Sequence, residues 1–249
     1  MKLLSIQLIQ KCKGNLSKIK KDAMYGAGEF ILIIMARGGY SGIVKKLIKK
    51  GVDIHTNEDK ALRYAAEYGH LKVVKCLVEA GADIHANEDQ ALRCAAEYGH
   101  VDIVKYLIEK GADVHVWHEY ALKYAIENKH LEVVKLLVEN GANVNEEGVL
   151  SSAAAYGDLE IVKYLVEHGA ANNWALRWAV ENEHTEIVKL LIERGADINV
   201  LHLGYKLYKL WKKLPNEKIL PFLVSKKKEI REAAKKYLER RKNGSNRGL

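Results

Sequence analysis

The stretch LKVVKCLVEAGADIH, from Leu71 to His85, occurs six times in this chain with modest alteration. It reappears as SGIVKKLIKKGVDIH from Ser41, VDIVKYLIEKGADVH from Val101, LEVVKLLVENGANVN from Leu131, LEIVKYLVEHGAANN from Leu159 and TEIVKLLIERGADIN from Thr185. Apolar residues fall at i, i+3 and i+4, as at Val74, Leu77 and Val78, which is the spacing of one face of an α-helix. Gly81 stands where such a helix would end on a left-handed residue, a conformation that is cheap only without a Cβ. The equivalent glycines, Gly51, Gly81, Gly111, Gly141, Gly169 and Gly195, are 30, 30, 30, 28 and 26 residues apart. So short a helix cannot bury its face alone, so this spacing predicts small units stacked in a line, each using its neighbours as core.

The repeat overrides the usual relation of length to domain count, and its 249 residues are expected to form one elongated domain. Charge is divided along the chain. Residues 1–30 hold 6 basic and 2 acidic side chains, residues 31–200 hold 19 and 26, and residues 201–249 hold 15 and 4. The basic balance therefore belongs to the C-terminal stretch, and nucleic acid is not the expected partner of the repeats. Cys12, Cys76 and Cys94 are odd in number and lack paired spacing, which predicts reduced thiols and an intracellular, cytoplasmic setting, with the nucleus open to a basic tail. The N-terminal MKLLSIQLIQKCKGN lacks the small-residue cleavage site of a signal peptide. The longest apolar run, Phe30 to Ala36, is far below the ~20 residues of a membrane span, so a soluble, monomeric protein is expected.

Residues 1–30 read as a degenerate capping repeat, with KGNL at Lys13 to Leu16 aligning with YGHL at Tyr68 to Leu71. The units that follow are 31–60, 61–90, 91–120, 121–148, 149–174 and 175–200. In the first helix of a regular unit, Leu62, Ala65 and Ala66 face inward, and Arg63, Tyr64, Glu67 and Tyr68 face the other way. Asn87 followed by Glu88 and Asp89 reads as an N-cap with acidic residues in the first helical turn. Gly69, Gly99 and Gly157 close the first helix, but Lys129 and Glu183 hold the same position, so two turns should carry a strained left-handed residue. Residues 201–242 read as a basic helical cap broken at Pro215 and Pro221, and residues 243–249 as a disordered tail.

The pattern AAxxGHxxVVKxLxxxGAD, nearly whole in Ala65 to Asp83 and in Ala95 to Asp113, resembles ankyrin repeats. The resemblance covers roughly residues 31–200 and implies an all-α solenoid of helix-turn-helix units with protein binding on the concave face. Two departures stand out. The family's Thr-Pro-Leu-His opening is replaced by residues such as Gln90, Ala91, Leu92 and Arg93, which removes the bonds that tie neighbouring repeats. Each unit is also a few residues short of the usual ~33, and the loss falls in the finger loop. Units this short, free of proline and rich in lysine and asparagine, are similar to the ankyrin-repeat proteins of giant DNA viruses of amoebae, which would make the partner a host protein and the setting host cytoplasm.

Chemistry is sparse. No phosphate loop, nucleophile elbow or Cys-x-x-Cys motif is present, and neither an enzyme nor a cofactor is expected. His55, His85 and His115 stack in equivalent places, as do His70, His100 and His130, but packed helices ~8 to 10 Å apart cannot bring two imidazoles onto one metal ion. Each ring is expected to bond its own loop backbone; His115 with His118 does not make a site. The aromatic residues point to a partner. The outward column of the first helix reads Tyr64, Cys94, Tyr124, Ser152 and Trp178, and the next turn adds Tyr68, Tyr98 and Tyr156. Trp117 and Trp174 are placed in the short loops. Such rings give large contact area at low entropy cost, and small Ser152 between Tyr124 and Trp178, with small Ala155 beyond it, predicts a notch walled by the two rings and bordered by Tyr156 for an anchor side chain. The alternative is that each ring packs against the next repeat. A rival function assigns anion binding to Lys226, Lys227, Lys228, Arg240 and Arg241, with the repeats as spacer, and LPNE at Leu214 to Glu217 is similar to the opening of an F-box-like end.

Overall fold

The computed structural model describes residues 27–171 and 173–196, with isolated positions of a helical stretch between 231 and 242. They belong to two compact units, one ending at Ala142 and one beginning at Asn143. The first contains α1 (Ala27–Arg37), α2 (Ser41–Lys49), α3 (Thr56–Glu67), α4 (Leu71–Glu79), α5 (Ala86–Glu97), α6 (Val101–Glu109), α7 (Val116–Glu127) and α8 (Leu131–Glu139). The second contains α9 (Val149–Tyr156), α10 (Leu159–Glu167), α11 (Asn173–Glu181) and α12 (Thr185–Glu193). No strand occurs among the described residues. The degenerate repeat expected over 1–30 lies almost wholly outside the described residues, as do most of the 201–242 cap and the 243–249 tail.

Within each unit the odd-numbered helices pack side by side and so do the even-numbered ones. The predicted faces form the core: Leu62, Ala65, Ala66 and their counterparts Leu92, Ala95, Ala96 and Leu122, Ala125, Ile126 are at most 1 % exposed. Burial of one such leucine or isoleucine contributes about 1.5–3 kcal/mol relative to leaving it in water. Alanine on both sides of the odd-numbered contacts lets those helices approach closely, and they touch more extensively than the even-numbered ones. The odd-numbered side is therefore the inner side of each unit.

The turns behave as their residues demand. Gly69, Gly99 and Gly157 have φ of 77°, 75° and 77°, and Lys129 and Glu183 are left-handed too, at 61° and 64°. Over the turn glycine lies a histidine from the next repeat: His70, His100, His130 and His184 each bond through Nε2 to a carbonyl of the preceding first helix, those of Arg37, Glu67, Glu97 and Ala155, at 2.9 to 3.0 Å. A Cβ on Gly99 would stand 2.6 Å from Nδ1 of His130, so the ring requires the glycine. In sequence register, the residue one repeat after Lys129 is not histidine but Asp158, which caps its own helix by accepting from the backbone N–H of Glu160 and Ile161, both at 3.1 Å.

The expected N-cap at Asn87 is absent. Asn87, Glu88 and Asp89 are all left-handed, with φ of 51°, 57° and 52°, and the same holds for residues 57–59 and 117–119. Three consecutive left-handed residues cost on the order of 1–2 kcal/mol each, and the return is the placement of Asp89. Its carboxylate is buried, accepts the backbone N–H of Asp113 in the next repeat at 3.0 Å, and meets Nδ1 of His85 at 3.1 Å. Asp59 does the same for Asp83 and His55. The acidic residue thus serves as a tie between repeats, not as a charge on a helix dipole. In the second unit Asn145 takes that part, its Oδ1 accepting from Ala171 N–H at 3.1 Å.

Both histidine columns therefore differ from the expectation of a bond to their own loop backbone. One column bonds a buried carboxylate four residues further on and the other a carbonyl of the preceding repeat. The ties expected to be missing with the Thr-Pro-Leu-His opening are supplied by these residues instead.

Candidate functional site

On the inner side of the first unit, the first-helix columns place Tyr64 and Tyr68 on α3, Cys94 and Tyr98 on α5, and Tyr120 and Tyr124 on α7. Tyr64 and Tyr124 are half-buried, while Tyr68 and Tyr98 are exposed. Tyr64 and Tyr68 meet edge to face at 6.3 Å between ring centres, and Arg37 at the end of α1 lies over both rings, 5.6 Å and 4.9 Å from their centres. The Arg37 Nη2 donates to the Tyr68 hydroxyl at 2.7 Å. Tyr98 stacks on His100 with centres 6.5 Å apart.

Trp117 was expected at a loop tip. It sits in the left-handed opening of α7, about half exposed, and its ring is flanked on one face by the Arg93 guanidinium at 4.3 Å and at its edge by Tyr120 at 5.6 Å. Tyr120 in turn meets Tyr124 at 5.0 Å. Arg93 is buried and donates to the carbonyls of Asn87 and Glu88, closing the left-handed opening of its own helix, while its guanidinium meets the indole. Three aromatic rings and one arginine thus form a continuous edge-to-face row. Sequence reasoning missed Tyr120 and both arginines. Tracing one further column, Lys60, Gln90, Tyr120, Gly148 and Trp174, would have placed Tyr120 in the same register as Trp174.

In the second unit Ser152, Ala155 and Tyr156 lie on α9, against the neighbouring α11 that carries Trp174 and Trp178. Trp174 is 58 % exposed and Trp178 45 %. Trp174 belongs to the first turn of α11 and not to a loop, because the shortened linker starts the helix at Asn173. The Arg177 guanidinium carbon lies 5.4 Å from its ring centre. The expected notch draws Tyr124 from the first unit and the other residues from the second; within the second unit, Ser152 and Ala155 are half-buried on α9, which packs against the helix of Trp178.

Among the described residues no group of three His, Cys, Asp or Glu side chains converges on one point. No described helix is long and apolar enough to cross a membrane. Lys226, Lys227, Lys228, Arg240 and Arg241, and the Leu214 to Glu217 segment, lie outside the described residues.

A family model described as "Ankyrin repeats (3 copies)" matches residues 4–88, 85–148 and 145–202. A search of curated proteins finds no match. Among solved structures, the crystal structure of the human ASB11 ankyrin repeat domain is similar to this chain at 26 % identity and a TM-score of 0.63, covering 67 % of this chain and 84 % of that one.

Proposed function

Because this chain belongs to the ankyrin-repeat family, a family of general protein-protein interaction modules, we propose that it is a non-catalytic scaffold that holds a partner protein on the concave, odd-numbered-helix side of its repeats. One observation carries this reading: Trp174, Trp178 and Tyr156, three of the large exposed apolar residues, gather on α9 and α11 beside the small side chains of Ser152 and Ala155. Rings that stand out in water cost solubility and give the core little. They are the residue types that dominate interfaces, where truncation of a central one commonly costs ~2 kcal/mol or more. On the resemblance of the shortened units to those of giant DNA viruses of amoebae, we take the partner to be a host protein and the setting to be intracellular.

The test is capture of a partner by the intact chain followed by affinity measurement on variants. Trp178→Ala and Ser152→Trp should each weaken that partner at least tenfold with the melting curve unchanged. Lys163→Ala, which breaks only the surface pair with Glu160, should leave both affinity and melting as they are. If Trp178→Ala instead lowers the melting temperature and leaves affinity per folded molecule unchanged, the ring is a packing residue and the reading fails.

A further inference from the structure

Glu67, Glu97 and Glu127 end α3, α5 and α7 in one register, on helices that pack side by side. Tyr64, Tyr98 and Tyr124 share the inner side with them. Between the Tyr64 and Tyr124 positions the same column holds only half-buried Cys94, so the middle helix presents a gap flanked by two rings.

Glu67 and Glu97 bring negative charge to that gap. Burial and the carboxylates of Glu67 and Glu97 push the Cys94 thiol up to about 11, against the weaker opposing pull of Arg63 and Arg93. Burial, Glu67 and Glu127 push the Glu97 carboxyl up. Glu97 and Glu67 also raise the exposed Tyr98 phenol. Burial is the larger cause for the thiol and the Glu97 carboxyl, and the carboxylates of Glu67 and Glu97 add to it at Cys94 and lead at Tyr98, while Arg37 and Lys60 lie against the far ring, Tyr64. The two nearby arginines are engaged at the other end of the helices: Arg63 donates to Gln90, and Arg93 holds two carbonyls and the Trp117 ring.

The chain itself supplies the matching cation one repeat earlier. Arg37 stands in the register of Glu67 and Glu97, and its guanidinium lies over Tyr64 and Tyr68 with a hydrogen bond to the Tyr68 hydroxyl. That contact is the geometry a foreign arginine would adopt against the next rings. We propose that the inner side of the first unit binds an arginine-bearing extended segment of the partner, one guanidinium seated at the Cys94 gap between Tyr64 and Tyr124 with Glu67 and Glu97 as acceptors. This rests on the protein-binding reading above and adds the chemistry of the partner.

Spacing selects the form of the segment. Neighbouring packed helices lie ~8 to 10 Å apart. A polyproline II chain rises ~3.1 Å per residue with three residues per turn, so arginines three apart recur on one side about every 9 Å and meet successive repeats. A β-strand puts residues i and i+3 on opposite sides. Arginine is preferred to lysine because its planar group both stacks on a ring and forks onto a carboxylate.

The experiment is fluorescence anisotropy with the full chain and a labelled peptide of four Pro-Pro-Arg triplets, beside peptides of four Pro-Pro-Lys and four Pro-Pro-Glu triplets. The arginine peptide should bind, the lysine peptide several-fold more weakly, and the glutamate peptide not at all. The double variant Glu67→Gln with Glu97→Gln should weaken the arginine peptide at least tenfold. The double variant Glu79→Gln with Glu109→Gln removes the same charge from exposed sites on α4 and α6 and should change it less than twofold. Cys94→Trp, which fills the gap, should abolish binding, and the glutamine pair covers the case in which that variant does not fold. No binding by the intact chain, equal binding of the glutamate peptide, or equal loss in both double variants overturns the proposal. If a captured partner depends on Trp178 but not on Glu67 and Glu97, the arginine proposal falls and the binding reading stands.

Discussion

Gly99→Ala probes the tie between consecutive repeats. Gly99 has φ of 75°, where a residue with a Cβ loses on the order of 1 kcal/mol. The added Cβ would also stand 2.6, 2.7 and 2.9 Å from Nδ1, Cε1 and Cγ of His130. The ring is not a flexible end that can swing aside freely, because its Nε2 is bonded to the Glu97 carbonyl at 3.0 Å. Displacing it forfeits that bond, roughly 0.5–1.5 kcal/mol, and the total comes to about 2 kcal/mol. The same substitution in a His130→Asp background should cost only the backbone strain, since Asp158 shows that an aspartate in this register turns back to cap its own helix. Urea unfolding followed by circular dichroism on the four proteins of the cycle gives the coupling, which should be about 1 kcal/mol. Equal costs of Gly99→Ala in the two backgrounds would refute the tie and leave the glycine as a purely local turn residue.

Two further outcomes follow from the same geometry. Lys129→Gly should stabilise the chain by roughly 0.5–1 kcal/mol in the same unfolding assay, since Lys129 is left-handed, exposed and in register with no following histidine. His115 should make stability depend on pH, because the hydrogen bond to Glu119, reinforced by the Glu119 and Asp113 charges against a smaller effect of burial, raises its pKa in the folded state. A raised folded value means that the contribution is fully present below the ordinary histidine value of about 6.5 and is lost as pH rises through the folded one. The stability difference between the native chain and His115→Gln should therefore shrink with rising pH across that window, and a difference that grows would reverse the assignment.

Periodicity made the core legible. Leu62, Ala65, Ala66, Val74 and Leu77 were identified by spacing alone and are buried, because a helix face is a local property of the sequence. The left-handed turn residues Lys129 and Glu183 were legible for the same reason, as replacements in a glycine column. Asp89 was not. A carboxylate after asparagine near a helix start has a local explanation, the N-cap, and nothing within one repeat says that its partner is a backbone N–H some 24 residues later. His100 was misread similarly, its acceptor lying 33 residues earlier. The aromatic columns were legible as columns, but the row from Trp117 through Tyr120 to Tyr124 depends on rotamers and on Arg93 reaching out of its own turn.

The arrangement of these ties bears on where recognition can reside. The ties that recur from repeat to repeat among the described residues are made at the ends of the first helix: Asp59, Asp89 and Asn145 at its start, and the histidines on the carbonyls at its close. Between those ends the stacking rests chiefly on the leucine and the apolar residues that face inward. The remaining columns of the helix are under no such demand, and within this one chain they differ most from unit to unit. One reads Tyr64, Cys94, Tyr124, Ser152 and Trp178, while the neighbouring column is alanine in all five of those units, Ala65, Ala95, Ala125, Ala153 and Ala179, with Met35 in the repeat before them. A side chain that varies in size, charge and aromaticity along a frame that is otherwise repeated cannot be serving the frame. Substitutions in the variable column should accordingly change binding with little effect on stability, and substitutions at the tied ends should do the reverse.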